Sequence, residues 1–119
     1  MNAAFAGALA TGIGVALGAF GAHGLKGRVD PGLIETWQTG VQYQMVHGLA
    51  LLLVSTMKRT DPAMRRVAWA FLIGILIFSG SLYTLVLTGV RLWGAVTPIG
   101  GVAFLTGWTL MAWAVRRPA

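Results

Sequence analysis

Charged residues fall in clumps along this chain, and between the clumps run four uncharged stretches: residues 1–22, 36–57, 67–90 and 92–115. Each is at least 22 residues long, and a helix covers about 30 Å of hydrocarbon with about 20 apolar residues. The pattern predicts four membrane-crossing helices, over about 2–23, 31–57, 62–89 and from 94 or 98 to 116, in a single domain spanning 1–119. Two starts are written out: "DPGLIETW" and "DPAMRRVAW" place Asp30 and Asp61 as N-caps with a proline at the first helical position. The last start is open. Pro98 lies inside the fourth stretch, so that helix either kinks there or begins there with Thr97 as its cap.

Small residues set the expected packing. Gly14 with Gly18, or Ala8 with Gly12 and Ala16, gives the first helix a face at spacing four that lets another backbone approach; Ala70 with Gly74 and Ala103 with Gly107 do the same later. "GAFGAHGLKG" (18–27) has glycine at every third position, which rotates off any single helical face, and reads as the frayed end of the first helix turning into a loop.

Composition narrows the class to an all-α integral membrane four-helix bundle. The chain is 56% hydrophobic and 10% charged with mean hydropathy +0.74, against about 25% charged in soluble domains. The first stretch lacks the basic leader and cleavage pattern of a secretory signal and reads as a retained helix. The net charge of +6 would suggest nucleic acid in a soluble chain. Here Lys58, Arg59, Arg65, Arg66, Arg116 and Arg117 all fall on one side of a four-span protein, with only Lys26, Arg28 and Arg91 on the other. The positive-inside rule then puts both termini in the cytoplasm of a multi-pass cell-membrane protein, the inner membrane in a bacterium, with lipid rather than nucleic acid as its surroundings.

With those directions, polar residues gather in the outer half. His23, Glu35, Gln38, Thr39, Gln42, Tyr43, Gln44 and His47 lie there in the first pair of helices, and Ser79, Ser81, Tyr83, Thr84, Thr88, Arg91 and Thr97 in the second. Thr36, Gly40, Tyr43 and His47 share one helical face, with Gln44 close by, and Ser81, Thr84 and Thr88 share another that could meet it. Two readings follow: an outward-facing cluster that binds a small or amphipathic ligand, or hydrogen-bonding glue between helices. His23 belongs at the rim.

No catalytic constellation is found, and no metal site is expected, since two histidines without an acidic pair make a poor ligand set. No cofactor is expected: haem between His23 and His47 would need the first helix to bend inward, because His47 lies about 16 Å deeper. The glycine series matches no phosphate-binding loop.

"GAFGAHGL" (18–25), "TGVQYQMVHGLALL" (39–52), "FSGSLY" (78–83) and "WGAVTPIGGVAFLTGW" (93–108) resemble the signature stretches of a small membrane-protein family, domain of unknown function 423, which includes YwdK- and YgdD-like proteins and transmembrane protein 256. The resemblance covers nearly the whole chain. It implies a four-helix membrane protein without a settled activity, and its motif positions are His23, Gln42, Tyr43, Gln44, His47, Ser79, Ser81, Tyr83, Thr97, Pro98, Gly100 and Gly101. The function expected is that of a non-enzymatic membrane protein with a ligand-binding polar cluster. The alternatives are a small-solute or proton-coupled transporter, although the first helix lacks the carboxylate that small multidrug exporters need, and an accessory subunit assembling with a second copy or another membrane protein.

Overall fold

A computed structural model describes residues 1–59 and 62–118. Among them the regular structure is helical throughout, in four helices: α1 (Ala3–His23), α2 (Pro31–Thr56), α3 (Pro62–Thr88) and α4 (Thr97–Val115). Asn2 caps α1 by accepting the Phe5 N–H at 3.0 Å. The helix then runs unbroken through Gly18 and Gly21 to His23, and the Gly24 N–H closes it on the Phe20 carbonyl at 2.6 Å. Only beyond that point does the glycine series act as a loop, with Gly27 at φ 77°. A side chain would not fit at Gly21, because the Trp37 indole lies where its Cβ would be.

Asp30 stands at the N-cap of α2 without a side-chain cap bond; its carbonyl accepts from Leu33 and Ile34 instead. Asp61 lies outside the described residues. Helix α3 contains one π turn, Ile75–Ser79, where the Gly80 N–H reaches the Ile75 carbonyl five residues back. It ends at Gly89, φ 72°, whose N–H satisfies the Leu85 carbonyl in the left-handed cap that glycine adopts without strain. A 3₁₀ turn, Arg91–Ala95, leads into α4, which starts at Thr97 with Pro98 in its first turn. Pro98 therefore starts a helix rather than kinking one, and Val96, not Thr97, is the cap residue.

Three of the helical segments, Ala3–His23, Pro62–Thr88 and Arg91–Val115, are long and apolar enough to cross a membrane. Helix α2 is long enough, at 26 residues, but its first two thirds carry Glu35, Gln38, Thr39, Gln42, Gln44 and His47. It is also central, since α1 packs on α2, α2 on α3 and α3 on α4, and α1 has no comparable contact with any other helix. The bundle is thus open between α1 and α3.

Two apolar clusters fill it. At the end carrying both termini, Leu51, Val67, Phe71, Ile75, Phe104 and Met111 pack together; at the end carrying the loops, Trp37, Val41, Val86 and Leu25 do. Arg59 clasps the termini end, its guanidinium donating to the carbonyls of Ala114 and Arg117, each at 2.6 Å. A cation there meets the negative end of the α4 dipole.

Candidate functional site

The outer polar residues do not form one cluster. Successive positions on a helix point about 100° apart, so Tyr43 and His47 share a face of α2 while Gln44 faces another way, and the structure sends the two faces to different neighbours.

His47, buried, faces α4. Its Nδ1 lies 2.8 Å from the Tyr43 carbonyl and its Nε2 accepts the Trp108 indole N–H at 3.0 Å. A carbonyl only accepts and an indole only donates, so the ring is the neutral tautomer with hydrogen on Nδ1. Phe104 stacks on it with centroids 3.6 Å apart, and Tyr43 and Phe71 flank the stack. Both ring nitrogens are engaged by the protein itself.

Gln44, also buried, faces α1 and α3. Its Nε2 donates to the Ala10 carbonyl at 2.8 Å and its Oε1 accepts from Tyr83 Oη at 2.7 Å. The same edge of α2 carries Trp37 and Gln38, whose Nε1 and Nε2 donate to the carbonyls of Leu17 and Gly18 at 2.8 and 3.1 Å. Trp37 is 2% exposed and tilts against both Phe20 and Tyr83. Sequence reading missed it; a lone tryptophan inside an otherwise polar half-helix was the available signal.

Ser79, at the end of the π turn, donates to the Gly40 carbonyl at 2.6 Å. Ser81 bonds Thr97 across to α4 at 2.6 Å. Thr84 and Thr88 bond back to the carbonyls of Gly80 and Thr84 in their own helix, so the Ser81, Thr84 and Thr88 face does not meet α2. Gly100 is buried with no room for a Cβ against the Phe78 backbone, whereas Gly101 is half-buried and Pro98 exposed. His23 and Gln42 are exposed and belong to none of these groups.

The opening between α1 and α3 is a groove of about 400 Å³. Phe5, Leu9 and Ile13 wall it on α1, Leu72 and Leu76 on α3, and its polar side chains are Gln44 and Tyr83. Volumes of this size are typical of small-molecule sites, which pair apolar walls with a few placed polar groups.

A family model described as "Protein of unknown function (DUF423)" matches residues 17–101. The UPF0382 membrane protein SERP0230 of Staphylococcus epidermidis is 45% identical over 112 residues, 93% of this chain and 92% of its own. The UPF0382 membrane protein SH2409 of Staphylococcus haemolyticus is 43% identical over 88% of this chain and 87% of its own, and the UPF0382 membrane protein YwdK of Bacillus subtilis is 43% identical over 83% of each. No solved structure matches. These are membrane proteins, and nothing in the relatives' names points to a catalytic activity.

Proposed function

The chain belongs to the DUF423 family of membrane proteins, and from that premise we propose that it is a non-enzymatic, multi-pass cell-membrane protein that binds an amphipathic molecule in the groove between α1 and α3. The observation that carries this reading is the Gln44–Tyr83 pair, a polar spot in an otherwise apolar, 400 Å³ groove open to lipid. Gln38, Ser79, Ser81 and Thr97 act as bonds between helices, and His47, walled in by Phe104 and Trp108, belongs to the packing. Both termini lie in the cytoplasm, the side on which six of the nine basic residues cluster.

Gentle extraction followed by native mass spectrometry tests the groove. The wild type is expected to carry a small-molecule adduct that Leu76→Trp loses; Leu76 is 66% exposed, so the larger ring fills the groove without entering the core. Bare wild-type protein, or an adduct kept by the variant, would overturn the reading. Fusing a fluorescent protein and, separately, alkaline phosphatase to the C-terminus tests the orientation, with fluorescence and no phosphatase activity expected.

A second reading, assembly with another membrane protein, is favoured by the outward face of α1, where Ala4, Ala8, Gly12 and Ala16 are exposed in one row. Replacing Ala8 and Gly12 by leucine would dissociate such a partner on a native gel and leave a monomeric protein unchanged.

A further inference from the structure

Resting on the groove reading, we infer that the ligand is a long-chain alcohol: a single apolar chain ending in an uncharged hydroxyl that sits on Gln44 and Tyr83. The class follows from what the groove offers. None of its lining residues carries a formal charge, so a carboxylate, phosphate or ammonium group buried there would lose its hydration and find no counter-ion. A neutral head loses far less.

The hydrogen-bonding capacity then selects among neutral heads. The Gln44 amide is oriented by its two bonds, since its nitrogen must face the Ala10 carbonyl and its oxygen the Tyr83 hydroxyl hydrogen. An amide nitrogen carries two hydrogens, and each oxygen two lone pairs. After those bonds Gln44 still has one N–H to give, and its Oε1 and Tyr83 Oη can each still accept. A ligand carbonyl can use only the donor. A hydroxyl can accept from the N–H and donate to one of the two oxygens, so it uses both the donor and an acceptor.

The groove also fits one chain. Its α1 wall runs from Phe5 to Leu17, about 18 Å at 1.5 Å per residue. Tyr83 lies at the loop end of the α3 wall and Leu72 at the termini end. The hydroxyl therefore sits towards the loop end, with the chain running towards Phe5 and Leu72. Entry is sideways from the bilayer, because α1 leans on α2 and leaves its flank towards α3 uncovered.

The test uses purified protein in detergent, incubated separately with tritiated 1-hexadecanol, palmitic acid and hexadecylamine at neutral pH, with label per chain counted after gel filtration and the Leu76→Trp value subtracted. Hexadecanol is expected to be retained near one per chain, with the acid and amine at least tenfold weaker, a difference of about 1.4 kcal/mol. Gln44→Leu is expected to lower hexadecanol retention at least fivefold; Tyr83→Phe, which keeps the ring packed on Trp37, is expected to lower it less. Equal retention of the acid or amine would overturn the neutral-hydroxyl class while leaving the groove standing. Retention of hexadecanol that neither Gln44→Leu nor Tyr83→Phe reduces would do the same. Retention of none of the three above the Leu76→Trp background would overturn the groove itself.

Discussion

The seam between α1 and α2 and the seam between α3 and α4 both rest on glycine, yet in the half nearer the termini they use it in opposite ways. On α1, Gly7, Gly14 and Gly21 are buried along one line, and at the termini end that line brings backbone to backbone: a Cβ on Gly7 would stand 2.6 Å from the Gly48 carbonyl oxygen. Side chains of α2 then donate into α1 carbonyls at Leu17, Gly18 and Ala10. Between α3 and α4 the glycines of that half are sockets, while nearer the loops Gly100 meets the Phe78 backbone. Gly74 receives the Phe104 ring and Gly107 the Phe71 ring. In that half the first seam is held by backbone proximity, with hydrogen bonds along its length, and the second by rings filling notches, and the two should fail differently because a ring can move and a backbone cannot.

Gly7→Val should have the largest effect. No side-chain movement relieves a clash with the Gly48 carbonyl and the Leu52 backbone N–H, so the cost is expected at or above the 1–3 kcal/mol of ordinary overpacking. Thermal unfolding in detergent followed by circular dichroism should show it, and an unchanged midpoint would remove the proximity argument. Gly107→Ala should be milder than Gly7→Ala, because the obstacle 2.6 Å from the added Cβ is the Phe71 ring, a side chain that can turn aside where the Gly48 carbonyl cannot; an equal loss would erase the distinction between the seams. Trp37→Phe, which removes the Nε1 donor to Leu17 and part of a buried ring, should cost at least about 0.6 to 1.7 kcal/mol, the range for an interhelical hydrogen bond in membranes. Gly12→Val completes the series. Nothing lies within 4 Å of a Cβ there, so its midpoint should stay at that of the wild type in dilute protein.

Sequence reading recovered the helical class from the four uncharged stretches, and the family from its motifs. It could not choose among the small residues of α1. The pair Gly14 and Gly18 does face α2, but Ala8, Gly12 and Ala16 point outward; a helix this rich in glycine and alanine has several such rows, and the choice is made by Met45, Val41 and Trp37 on the partner. The polar residues were joined into one site, because spacing along one helix says nothing about which neighbour each face will meet. Ser81, Thr84 and Thr88 were misdirected for a further reason. The π turn adds a residue to the winding and shifts every later position by about 100° against a regular count, so Ser79 and Tyr83 reach α2 and Ser81 turns to α4. Neither glycine nor proline occurs within "ILIFS" to announce it.

That turn also gives α3 a tolerance for changes of length. A π turn is a regular helix with one residue too many, so deleting one residue within 75–79 restores ordinary winding and leaves the flanking segments in place. Tyr83 would still reach Gln44, and Ser81 would still reach Thr97. The same deletion made five residues later would rotate the rest of the helix and the connection to α4 out of register. The chain thus keeps one residue of slack in its third helix, stored where α2 and α4 both lean on it.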